Sequence, residues 1–172
     1  MDPFLIITDN KASIPPKIAS REAVRAIIVK DDMILLMYSE TDKMYGTPGG
    51  GIILDESKLD ALYRELREEV GARKTRIIRH IGQVEEIRSS RSHMGRPFRI
   101  LSDYYHVEIL EFQGNSLEQH EEEMGLKPKW VSIGEAIMTN ETQLDASTKT
   151  SINFYTTQTE VLKYIRKEFG IQ

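Results

Sequence analysis

Apolar and polar positions alternate along the chain in a way that predicts strands, then helices, in a fixed order. Arg25 to Lys30 is a β-type run, Asp31-Asp32 a turn and Met33 to Tyr38 a second run, which together predict a hairpin. Ser39 to Tyr45 is polar and leads into glycines at 49, 50 and 51. Beyond them Leu59, Leu62, Leu66 and Val70 recur at three- and four-residue steps, one apolar stripe of a helix. Ser57 or Asp55 can cap its N-terminus, and Gly71 is a natural stop. Thr75 to Ile87 reads as a strand and Phe98 to Leu110 as a longer one. In the latter, Tyr104, His106 and Glu108 alternate with Tyr105, Val107 and Ile109, which predicts a half-buried strand. Lys129-Trp130-Val131 starts another strand, and Ile133 to Met138 a short helix. A terminal helix is expected over Thr148 to Phe169, on Ile152, Tyr155, Val161, Leu162, Ile165 and Phe169. The threonines at 156, 157 and 159 weaken it, because β-branched side chains lose rotamer freedom in helices. This order suggests a mixed sheet with helices on both faces.

Upstream, Phe4 to Ile7 predicts an edge strand, and Pro15-Pro16 stops any regular element. Residues 1–20 therefore read as an N-terminal extension and residues 21–172 as a single domain. The extension is expected to pack on its own domain; the alternative is a homodimer in which it lies across the partner.

The helix after the glycines carries the candidate chemistry. At about 100° per residue, Glu65, Glu68 and Glu69 fall within roughly 100° of one another, away from the apolar stripe. Carboxylates that close repel and weaken the helix unless something offsets them. A hard divalent cation, Mg²⁺ or Mn²⁺, would do so through carboxylate oxygens. Arg64 stands four residues before Glu68 and can hold that carboxylate in one rotamer. The glycines let backbone groups approach a ligand: their carbonyls can ligate metal and their amides can meet phosphate. The plain alternatives are a solvated acidic helix face and a strand-ending turn.

Composition narrows the classes. The 172 residues are 40% hydrophobic, enough for one domain with a real core. A net charge of −4 offers no electrostatic case for bulk nucleic acid or an anionic membrane surface. The chain has no cysteine, which excludes disulfides, zinc–thiolate sites and thiol nucleophiles. No apolar run reaches membrane-spanning length, the opening residues do not read as a signal peptide, and a cytoplasmic location is expected. Against the acidic background, the loop from Arg88 to Pro97 is basic and contains no acid. Its arginines, Arg88, Arg91 and Arg96, are candidates for contact with a phosphate; the alternative is a solvated hairpin tip.

The spacing from Gly50 to Ala72 resembles the Nudix box. Gly50 is followed after five residues by Glu56, and seven residues later come Arg64, Glu65, Glu68, Glu69 and Gly71. At a residue frequency of about 7% such a match arises by chance about once in ~10⁶ chains, which sets aside the solvated-face reading. Ala72 departs from the bulky aliphatic that usually ends the box, a matter of packing rather than chemistry. The resemblance covers these 23 residues and is only topological elsewhere.

The resemblance implies an α/β/α sandwich with a central mixed sheet, a short strand over Gly51 to Leu54 and a core position for Trp130. It implies a hydrolase of nucleoside diphosphate derivatives, with Mg²⁺ or Mn²⁺ held by Glu65, Glu68, Glu69 and the Gly49 carbonyl. Glu56 would be structural, steadying the loop and Arg64. The general base would be a box glutamate such as Glu65, or a later loop glutamate: Glu121 first, then Glu122 and Glu118. The substrate is a small nucleotide: a nucleotide sugar, ADP-ribose or a nucleoside triphosphate. The proline or tyrosine that marks some subgroups downstream of the box is absent from Glu86 to Ser90. A non-catalytic nucleotide sensor is the alternative, disfavoured by the intact glutamates; an isoprenoid diphosphate isomerase lacks its usual cysteine.

Overall fold

The computed structural model describes residues 3–8, 18–89, 97–112, 125–146 and 152–172. In chain order the elements are β1 (Leu5–Thr8), β2 (Ala19–Ile27), β3 (Val29–Lys30), β4 (Met33–Ser39), β5 (Met44–Gly46), α1 (Lys58–Val70), β6 (Ala72–Ser89), β7 (Pro97–Phe112), β8 (Leu126–Ser132), α2 (Ile133–Ala146) and α3 (Ile152–Phe169). One sheet has the order β1-β6-β7-β2, with β1 parallel to β6, β6 antiparallel to β7 and β2 parallel to β7. In the other, β3 and β5 pair the two halves of β4, and β8 pairs its whole length, all antiparallel.

The first apolar run is not one strand but two. It leaves the first sheet after Ile27 and enters the second at Val29. The expected hairpin then forms between β3 and β4. Asp31 and Asp32 have φ of +47° and +62°, the pair of left-handed residues that a two-residue hairpin turn needs.

The β7 alternation is a correction in kind. Tyr104, Tyr105 and Val107 are all buried, because helices cover both faces of the sheet. Tyr104 joins Ile27, Leu36, Val131, Leu162 and Ile165 in the core beneath α2 and α3. Tyr105 and Val107 join Val24, Ala26, Leu62 and Leu66 in the core beneath α1. These layers form the expected α/β/α sandwich.

Three further expectations fail for local reasons. Gly51 makes only a single bridge to Ala23, and Ile53 and Leu54 stand exposed rather than in a strand. The loop's backbone groups are spent on β2 instead, through Val24 N–H to the Gly50 carbonyl and Ala26 N–H to the Pro48 carbonyl, both 2.9 Å. Leu59 is exposed and Ala61 takes its place in the stripe. Trp130 is 39% exposed rather than core, because β8 turns it into a groove shared with Ile28, Ile109 and Phe112.

At the N-terminus Phe4 stacks on Tyr164 at 4.2 Å between ring centres, and β1 runs beside β6 of its own chain. In α3 the doubtful threonines are satisfied. Thr157 donates to Glu86 at 2.8 Å and Thr159 to the Tyr155 carbonyl at 2.7 Å. Residues 147–151, the expected start of that helix's approach, lie outside the described residues.

The segment feeding the glycine loop is fixed by two buried amides. Asn140 accepts from Tyr45 N–H at 2.7 Å and donates to the Tyr45 carbonyl at 2.9 Å. Gln158 accepts from the Thr47 amide and hydroxyl at 2.8 and 2.6 Å. Removing such a partner leaves buried backbone groups without bonds. Asn140→Ala is expected to cost about 2–4 kcal/mol in urea unfolding, with the melting temperature falling accordingly.

Candidate active site

Helix α1 is built to present its acids to the glycine loop. Ser57 caps it in extended conformation, its hydroxyl accepting from Asp60 N–H at 3.2 Å. Gly71 closes it with φ +64°, its N–H bonded to the Leu66 carbonyl. Ala61, Leu62, Leu66 and Val70 are buried in the core, which fixes the helix's rotation. Lys58 ties the first turn to Asp103 on β7 at 2.6 Å, and Asp103 is also bonded to His80 at 2.9 Å.

Arg64 is the hub. Its Nε and Nη2 grip Glu56 at 2.8 and 2.9 Å, and Nη2 also reaches the Gly51 carbonyl at 3.1 Å. Its Nη1 donates to Glu65 at 2.7 Å and to Glu68 at 3.3 Å. The bond from Arg64 holds the Glu56 carboxyl below its usual range, and the carboxylates raise Arg64 in turn. Glu56 also accepts from Ile53 N–H at 3.2 Å, so it steadies loop and arginine together.

The loop meets the helix at Gly49. Its φ is +128°, and a Cβ there would run into the Val24 carbonyl oxygen, so only glycine fits. Its N–H donates to Glu69 Oε2 at 2.6 Å. A side chain at Gly50 would collide with the Glu65 carboxylate. The structure thus brings Gly49, Arg64, Glu65, Glu68 and Glu69 together. Burial pushes Glu69 up to about 7, and Glu65 and Glu68 add to the rise; Arg25 and the Gly49 N–H oppose it.

The candidate donors for a metal are all oxygens, three carboxylates and one carbonyl, the set that suits Mg²⁺ or Mn²⁺. Glu69 is bonded to the Gly49 N–H, and a Cβ on Gly50 would meet the Glu65 carboxylate, so these oxygens lie against the loop and the donor set fits a hard divalent ion. Among the described residues no three acidic or histidine side chains already close around one point. Glu65 and Glu68 are engaged by Arg64 instead.

Arg88 is not at a solvated tip. It lies within β6, mostly buried, paired with Glu86 and 3.4 Å from the Thr157 hydroxyl. Burial, then the charge of Arg25, push it down to about 10. Arg91, Arg96, His93, Glu118, Glu121 and Glu122 lie outside the described residues.

Sequence reasoning missed Arg25, whose Nη1 donates to the Thr47 carbonyl at 3.0 Å and the Gly49 carbonyl at 2.5 Å. The signal was there: a lone charge flanked by Val24 and Ala26 in an apolar strand. A cavity of about 90 Å³ beside it is lined by Thr47, Glu69, Leu126, Phe154 and Tyr155.

A glycine loop in register with an acidic helix, inside this sandwich, defines the class. The family model described as NUDIX domain matches residues 19–153, and the chain belongs to that family. Among solved structures it is similar to a NUDIX hydrolase from Nitrosomonas europaea, at 20% identity and TM-score 0.54, covering 83% of this chain and 89% of that one. It is also similar to a UDP-X diphosphatase, at 17% identity and TM-score 0.55, covering 90% of this chain and 66% of that one. Both likenesses show the fold. Among curated proteins none matches the chain.

The raised Glu69 carries a signed pH effect. A carboxyl whose folded pKa lies above its unfolded value of 4.5 favours folding least once ionised. Its cost to stability therefore appears as pH rises from about 4.5 towards 7 and is complete above 7. In EDTA, Glu69→Gln is expected to gain about 2–3 kcal/mol over wild type at pH 8 and nothing at pH 4. Melting curves of both proteins across that range check it; an equal difference at both ends would contradict it.

Proposed function

We propose that the protein hydrolyses the pyrophosphate linkage of a small nucleoside diphosphate derivative with the help of Mg²⁺ or Mn²⁺. The observation that carries the reading is the bond between Gly49 N–H and Glu69 Oε2, which ties the glycine loop to the acidic helix face. Glu65, Glu68, Glu69 and the Gly49 carbonyl would hold the ion. When bound there, it would neutralise phosphate charge and lower the pKa of an attacking water.

The chain's own groups do the rest. Glu56 and Arg64 fix the loop against the helix, so that Glu65 keeps one orientation. Glu65, or a glutamate of the later loop with Glu121 first, takes the water proton. We assign Arg88, which also holds Glu86, and Arg91 and Arg96 to meeting substrate phosphate. The substrate class is a nucleotide sugar, ADP-ribose or a nucleoside triphosphate. We infer a cytoplasmic protein whose partners are small nucleotides rather than bulk nucleic acid, with a homodimer as a possible assembly. No helix among the described residues is long and apolar enough to cross a membrane.

Phosphate release from a panel of nucleoside diphosphate derivatives, with Mg²⁺ or Mn²⁺ and an EDTA control, tests the reading. EDTA-sensitive turnover of one class is expected, and Glu69→Gln should lower it about 100-fold or more while the protein stays folded. Wild-type-like turnover in that variant would sink the site assignment. Nucleotide binding without turnover would favour the sensor reading.

A further inference from the structure

Arg25 sits where a cation is wanted. It stands on β2 between Val24 and Ala26, both fully buried. Its Nη1 lies 2.5 Å from the Gly49 carbonyl and 3.0 Å from the Thr47 carbonyl, and its guanidinium lies 5.2 Å from the centre of the Phe154 ring. Its charge also acts on the Glu69 carboxyl. The oxygen it holds is the one assigned to the metal above. A divalent ion and a guanidinium on one carbonyl repel strongly in a partly buried site.

We propose that Arg25 is a built-in counter-cation, a positioning residue that competes with the divalent ion for the Gly49 carbonyl and the Glu69 carboxylate. The inference rests on the metal-dependent reading. Arg25 holds the loop and helix in register before the ion arrives and weakens the ion's hold. An anionic substrate restores the balance, because its phosphate gives the Arg25 guanidinium an anionic partner of its own.

The test needs no substrate. Mn²⁺ is titrated into the full chain and free ion is followed by electron paramagnetic resonance, for wild type, R25M, R25K and E69Q. R25M is expected to bind Mn²⁺ about tenfold more tightly than wild type, with R25K between them and E69Q weaker than all. A merely structural role for Arg25 would move R25M the other way. Melting curves in EDTA establish that each variant is folded, and R25K carries the test if R25M is not. Equal or weaker Mn²⁺ binding in the folded arginine variants, with binding lost in E69Q, overturns the inference alone. Equal binding by wild type and E69Q, or none by either, overturns the metal reading and the inference with it.

Discussion

Three carboxylates on one face of one helix repel, and the surrounding structure exists to hold them there. Each like-charge pair at helical spacing costs a few tenths of a kcal/mol. Against that, Leu62 and Leu66 are fully buried beneath α1, each contributing about 1.5–3 kcal/mol. Packing wins by a wide margin, so the acids can be selected for chemistry rather than for helix stability. Arg64 then removes the rotational freedom that the repulsion would otherwise exploit. It is bonded to Glu56, Glu65, Glu68 and the Gly51 carbonyl, and so ties helix and loop into one unit.

The loop side is held by different means. It has no apolar stripe of its own, and its position comes from buried polar bonds. Asn140 grips Tyr45 from α2, Gln158 grips Thr47 from α3, and β2 takes the carbonyls of Pro48 and Gly50. Apolar packing would tolerate small shifts, whereas a buried amide bonded to a backbone amide and carbonyl tolerates one register. A misplacement of the Gly49 carbonyl relative to α1 is what these bonds prevent. The three helices thereby meet at the site: α1 brings acids, while α2 and α3 aim the loop.

This division explains what the sequence disclosed. The acidic helix, its caps and its apolar stripe are local patterns, and α1 was legible almost residue by residue. The Asp31-Asp32 hairpin was legible for the same reason. Asn140 and Gln158 act on partners 95 and 111 residues away, and no local pattern announces such pairs. The alternation in β7 was real, but whether its second face meets water or a helix depends on where α1 lands. Trp130 followed family habit into an expected core position, while the edge placement of β8 left it in an open groove. Arg88 was read as loop because its basic neighbours hid the fact that β6 runs on to Ser89.

Gly49 itself stands between opposite charges: Glu69 from α1 on its amide and Arg25 from β2 on its carbonyl, while Arg64 neutralises part of the α1 face and Arg88 is already paired with Glu86. The glycine loop is the seam, its amide bonded to Glu69 and its carbonyl to Arg25. Under the proposed function, a phosphate chain carrying its own negative charge and a divalent ion has a partner on each side of that seam. The acids receive the ion and the arginines receive the phosphate oxygens. Neither half would hold the pair alone: the acids repel bare phosphate, and the arginines repel the bare ion. Selectivity for a metal–phosphate complex over either component then follows from Coulomb's law and the placement of one glycine carbonyl between two opposite charges.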